Sequence, residues 1–101
     1  MLKKRFFKTK DDCEVTFEFE SDAATAVALV CEANDWQPVE MKKAKTNGSP
    51  FKTKLRLPKG EQFQYLYLVD GQNWVNDKAA DAQWPNEYGA TNSVVSTISG
   101  N

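Results

Sequence analysis

The chain has no histidine among its 101 residues. That absence removes the commonest general base, the usual partner of a nucleophilic serine or cysteine, and the usual zinc ligand together. Its two cysteines, Cys13 and Cys31, are far from C-x-x-C spacing, so neither a zinc site nor a dithiol redox centre is expected. Both fall in apolar-alternating segments, where an unpaired thiol packs as a small hydrophobe. The few glycines stand singly in turns, with no phosphate loop, dinucleotide fingerprint or nucleophile elbow. No cofactor or metal is expected. No apolar run approaches the roughly 18 residues needed to cross a bilayer, and the basic opening is followed only by Phe6 and Phe7 before Lys8, so the apolar stretch of a secretory signal is missing. These features lead us to expect a cytoplasmic chain, and its Met start and lack of linkers read as a complete small protein. A net charge of -1, from 13 basic and 14 acidic residues, gives no global field to recruit nucleic acid or an anionic membrane. An uncharged partner is therefore expected.

What is present is ordinary globular material, 41% hydrophobic and 27% charged, in an amount suited to one domain over residues 1–101. From Cys13 to Glu20 the residues alternate strictly, with Cys13, Val15, Phe17 and Phe19 on one face and Glu14, Thr16, Glu18 and Glu20 on the other, which predicts a half-buried strand. Ala26 to Glu32 predicts a second, with Val27, Leu29 and Cys31 sharing a face. Phe51, Thr53, Leu55 and Leu57 alternate with Lys52, Lys54 and Arg56, and this basic row is expected opposite the acidic row of the first strand, in antiparallel pairing. Phe63 to Val69 follows, with Phe63, Tyr65, Tyr67 and Val69 on one side, then a tight turn at Asp70-Gly71, a short extended piece from Trp74, and a last strand over Asn92 to Ile98. Asn47-Gly48 reads as a turn, and only Asp77 to Gln83 could hold a helical turn. About seven short antiparallel strands with turns roughly every 8 to 12 residues predict an all-β, immunoglobulin-like sandwich.

Catalysis finds little support. A carboxylate pair for glycoside hydrolysis could be drawn from Asp35, Asp70, Asp77 and Asp81, but each falls where a turn favours Asp anyway. The chain is expected not to be an enzyme. Trp36 and Trp74 are more informative, because both stand beside the ends of predicted strands among Asn, Asp and Gln. An indole face can cover the C–H side of a sugar ring while such neighbours bond its hydroxyls. Each could instead cap an end of the core, but two with the same placement favour a binding platform.

The strings NDWQPVEMKK, FKTKLRLPKGEQFQYLYLVDGQNWVND and NEYGATNSVV, in this order, resemble the glycogen-binding module of the AMP-activated protein kinase β subunit. They are also similar to the N-terminal early-set domains of isoamylases and glycogen-branching enzymes. The resemblance covers about Val27 to Val95. It implies a non-catalytic β-sandwich that holds α-1,4-glucan, glycogen or a starch-like polymer, with Trp36 and Trp74 stacking on glucose rings, working alone or beside a glycogen-metabolising enzyme on another chain. Asn92 falls on the family's glucan-contacting asparagine and Tyr88 on the apolar side chain that enters the glucan curve. Asn73 looks like an insertion before Trp74, Ala90 replaces a threonine, and Cys31 and Ala33 replace a Gly and a Phe. Leu66 stands where the kinase module carries a sugar-contacting lysine. By alternation it points away from Tyr65 and Tyr67, onto the ligand face with Leu68. This outward pair carries the alternative expectation, a protein-interaction or oligomerisation domain of the same fold. Trp84, before Pro85 and outside the matched strings, reads as readily as a core plug as a contact.

Overall fold

A computed structural model describes residues 2–9, 11–21, 23–43, 49–87 and 89–98. Ten strands lie among the described residues, in chain order β1 (Leu2–Phe6), β2 (Asp12–Phe19), β3 (Val27–Cys31), β4 (Val39–Glu40), β5 (Lys42–Lys43), β6 (Phe51–Pro58), β7 (Gln62–Val69), β8 (Asn73–Val75), β9 (Ala82–Pro85) and β10 (Thr91–Ser96). One sheet runs β1-β2-β6-β5, and the other runs β4-β3-β7-β10-β9 with β8 also on β7. The pairings are antiparallel, and the two sheets pack as an all-β, immunoglobulin-like sandwich. No described helix is long and apolar enough to cross a membrane.

The strongest sequence signals produce the central strands. Strand β2 pairs with β6 in the register that sets Glu14 against Arg56, Thr16 against Lys54 and Glu18 against Lys52. Their outer row carries the expected ion pairs, Lys52–Glu18 at 3.3 Å and Lys54–Glu14 at 3.9 Å, with Lys3 joining Glu18 at 3.5 Å. The exposed lysines contribute little stability through these pairs but neutralise the face, and Lys3 and Lys52 partner the buried Glu18. The inner row, Cys13, Val15 and Phe17, meets Val27, Leu29, Cys31, Tyr65, Tyr67 and Val95 of the opposite sheet in one core. Phe17 meets Tyr65 edge-on at 5.0 Å, and Tyr65 meets Tyr67 at 5.8 Å. Both thiols are free and buried, and burial raises their pKa values, which keeps them protonated.

The strands that the sequence reading did not expect have local causes. Strand β1 was not expected, because its row of charges hides an inward-facing Leu2 opposite Phe17. The short β4 and β5 are added at sheet edges. Within the expected helical turn over residues 77–83, the Ala80 N–H bonds the Asp77 carbonyl at 3.2 Å and the Asp77 Oδ1 accepts from the Ala79 N–H at 2.9 Å, a single capped turn before the chain enters β9. The turn expected at Asn47-Gly48 lies outside the described residues.

Candidate functional site

The outer faces of the two sheets differ in kind. One carries the charged rows of β1, β2 and β6. On the other, alternation turns Val30 of β3, Gln64, Leu66 and Leu68 of β7 and Asn92 of β10 away from the core, and an open groove of about 820 Å³ lies across Val30, Gln64, Leu66 and Asn92. Its lining includes Val30, Trp36, Leu66 and Trp74 together with the carboxamides of Gln64, Asn76, Asn86 and Asn92. Glu87 is the one charged residue among the described lining residues.

Trp36 reaches this groove from a strained turn. After β3 the chain makes a 3₁₀ turn over Glu32–Asn34, and then Asp35 and Trp36 take φ values of 53° and 61°. Two successive left-handed residues, one of them bulky, cost on the order of 1–2 kcal/mol each. The backbone is held there by bonds from the Trp36 N–H to the Cys31 carbonyl at 2.9 Å and from the Gln37 N–H to the Asn34 carbonyl at 3.0 Å. Glu32 ties the same turn to β7 by accepting from the Gln64 N–H at 3.0 Å. The result is an indole 41% exposed.

Trp74 is delivered by a hairpin. Asp70 and Gly71 both have positive φ, as a type I′ turn requires, with the Gln72 N–H bonded to the Val69 carbonyl at 3.1 Å. The register that follows sets Trp74 opposite Leu68, and the indole is 58% exposed. One edge of β7 is shared: residues 62–65 pair with β10, and residues 67–69 pair with β8. Leu66 sits at the junction. Asn76, just past β8, closes the seam by donating to the Thr91 carbonyl at 2.7 Å.

Asn92 is held from both sides. Its Nδ2 donates to Oε1 of Gln64 at 3.0 Å, and its Oδ1 accepts from Nδ2 of Asn86 at 3.1 Å. Oδ1 of Asn86 in turn accepts from the Ala90 N–H at 3.1 Å, which fixes the groove wall between β9 and β10. Of the five residues expected at the site, Trp36, Trp74, Leu66 and Asn92 line one groove. Tyr88 lies outside the described residues. Gln64, Asn76 and Asn86 were not singled out from the sequence, where no local pattern marks them.

The four aspartates weighed for hydrolysis each take part in local structure. Oδ1 of Asp70 accepts from the N–H groups of Thr25 and Ala26, and Asp81 holds Lys4 at 2.6 Å and the Ser96 N–H at 2.7 Å. Asp35 caps the 3₁₀ turn. Asp77 is buried, and its Oδ2 accepts from the hydroxyls of Tyr65 at 2.7 Å and Tyr67 at 3.1 Å. Burial favours the neutral acid, but favourable contacts led by the Tyr65 hydroxyl and the Ala79 N–H hold the carboxyl below its ordinary value. Burial and the Asp77 charge push both phenols well above theirs.

The class that fold and site define is an immunoglobulin-like sandwich with an aromatic, nearly uncharged groove on one sheet. The chain matches no protein-family model and no curated protein.

Proposed function

We propose that this groove binds linear α-1,4-glucan, the chain of glycogen and starch-like polymers, and that the protein is a non-catalytic binding module. The observation that carries the reading is the pairing of two exposed indoles with a lining that holds four carboxamides and a single charged residue among the described residues. Indole faces suit the apolar faces of sugar rings, and carboxamides offer both a donor and an acceptor to hydroxyls. Glu87 is the only acidic residue among the described lining residues, whereas glycoside hydrolysis needs two carboxylates flanking the bond. The order of motifs shared with glycogen-binding modules supports the same reading, and the uncharged groove suits neither nucleic acid nor a membrane surface. A glycogen-metabolising enzyme on another chain is the protein partner such a module fits, in the cytoplasm where such polymers are made.

The outward, half-buried pair Leu66 and Leu68 favours a second reading, a protein-interaction or oligomerisation surface. Native electrophoresis with and without glycogen in the gel separates the two. Retarded migration in the glycogen gel supports the module, and unchanged migration supports the interaction surface.

A further inference from the structure

All three tryptophans of the chain lie outside the core. Trp84 belongs to neither the core cluster nor the partly buried side chains packed against it, so the core-plug expectation fails. In the β9–β10 register Trp84 stands opposite Asn92, and directly opposed residues of an antiparallel pair share a face. Trp84 is therefore on the groove side of its sheet. It sits half-buried on an edge strand, two strands beyond Leu66 or about 10 Å at the usual strand spacing.

The floor between them is polar and ordered. Gln64, Asn92 and Asn86 form a chain of carboxamide bonds at 3.0 and 3.1 Å that leads from the centre of the groove toward β9. Alternation places Asn86 on the same side as Trp84, two residues away. An aromatic ring at the end of a row of carboxamides repeats the composition found around Trp36 and Trp74.

We propose that Trp84 is a third sugar contact, which extends the site across β10 so that it takes a longer stretch of glucan than Trp36 and Trp74 engage alone. This rests on the glucan reading of the groove. A short oligosaccharide occupies the Trp36–Trp74 part of the groove, and only a longer one reaches the indole on the edge strand. Affinity then depends on chain length through Trp84.

Calorimetric titration of the full chain with maltotriose and maltoheptaose tests this, using Trp84→Leu, which keeps apolar bulk on the sheet, and Trp84→Phe, which keeps a stacking ring. Trp84→Leu is expected to lose at least about fivefold in maltoheptaose affinity with maltotriose changed less than about twofold, and Trp84→Phe to recover most of the loss. If the parent binds maltoheptaose and Trp84→Leu binds it equally well, or loses both sugars equally, the third contact is overturned while the groove reading stands. If the parent binds neither sugar, both are overturned.

Discussion

Asn92 and Gln64 are joined side chain to side chain across β10 and β7, with Nδ2 of Asn92 donating to Oε1 of Gln64 at 3.0 Å. Asn86 approaches the other oxygen-bearing end of Asn92 at 3.1 Å, so the carboxamide is fixed before any ligand arrives. Pre-ordering of this kind removes part of the entropic cost of binding.

Gln64→Leu deletes the acceptor while leaving both indoles and Asn92 in place. Maltoheptaose affinity should fall about fivefold, the equivalent of one ordinary hydrogen bond, with a stability change under about 1 kcal/mol. Calorimetric titration beside a urea melt checks it, and an unchanged affinity contradicts a positioning role for Gln64.

Trp36 sits at φ 61°, where glycine is at ease and a bulky residue is not. Trp36→Gly should leave stability unchanged or raise it by up to about 1 kcal/mol, while oligosaccharide binding falls at least about tenfold. The opposite signs are the point: a residue kept for packing would lose stability instead. The urea midpoint reads the first effect and titration the second.

Leu66 stands at the seam between β8 and β10, half-buried in the groove. Leu66→Lys supplies a donor there and should tighten glucan binding by up to about 1 kcal/mol, since a hydrogen bond open to water adds little more. No gain, together with dissociation of an oligomer on gel filtration, would identify Leu66 as a subunit contact.

Asp77 links pH to stability. Its carboxyl is held below the ordinary value in the fold, so the unfolded chain binds this proton more tightly. The stabilising contribution is fully present above about pH 4, the unfolded carboxyl value, and is lost as pH falls through the lower folded value. Tyr65 and Tyr67, raised in the fold, contribute stability below about pH 10 that is lost as pH rises further. Urea melts from pH 2.5 to 11 should show both limbs. Asp77→Asn should flatten the acid limb, and Asp77→Ala should lose about 2 kcal/mol by stranding the buried Tyr65 hydroxyl, while the Tyr67 hydroxyl keeps the Glu18 carbonyl at 3.3 Å as acceptor.

The strands that build the site were legible because period-two alternation fixes faces without knowledge of partners. That is why Leu66 could be placed opposite in direction to Tyr65 and Tyr67, and why the acidic row of β2 could be matched to the basic row of β6. Strand β9 was not legible. Ala82-Gln83-Trp84-Pro85 is short, ends in proline and follows a segment of helix-forming alanines, and only its pairing with β10 makes it a strand. Asn76 and Asn86 were invisible for a related reason: Asn76 bonds the carbonyl of Thr91, and Asn86 matters through Asn92, relations set by register and not by neighbours in sequence. Trp84 could not be assigned to core or surface until the register put it beside Asn92.

The central claim is that Trp36 and Trp74 form one sugar-stacking platform. Each stack removes about 100 Å² of apolar surface from water, worth roughly 2.5 kcal/mol before association costs. The most direct measurement is calorimetric titration of maltoheptaose into the parent, Trp36→Ala and Trp74→Ala, each verified as folded by circular dichroism. The parent should bind with a Kd between about 10 μM and 1 mM, and each variant at least about tenfold more weakly. Folded variants that bind like the parent, or a parent that ignores maltoheptaose, amylose and glycogen alike, would contradict the platform.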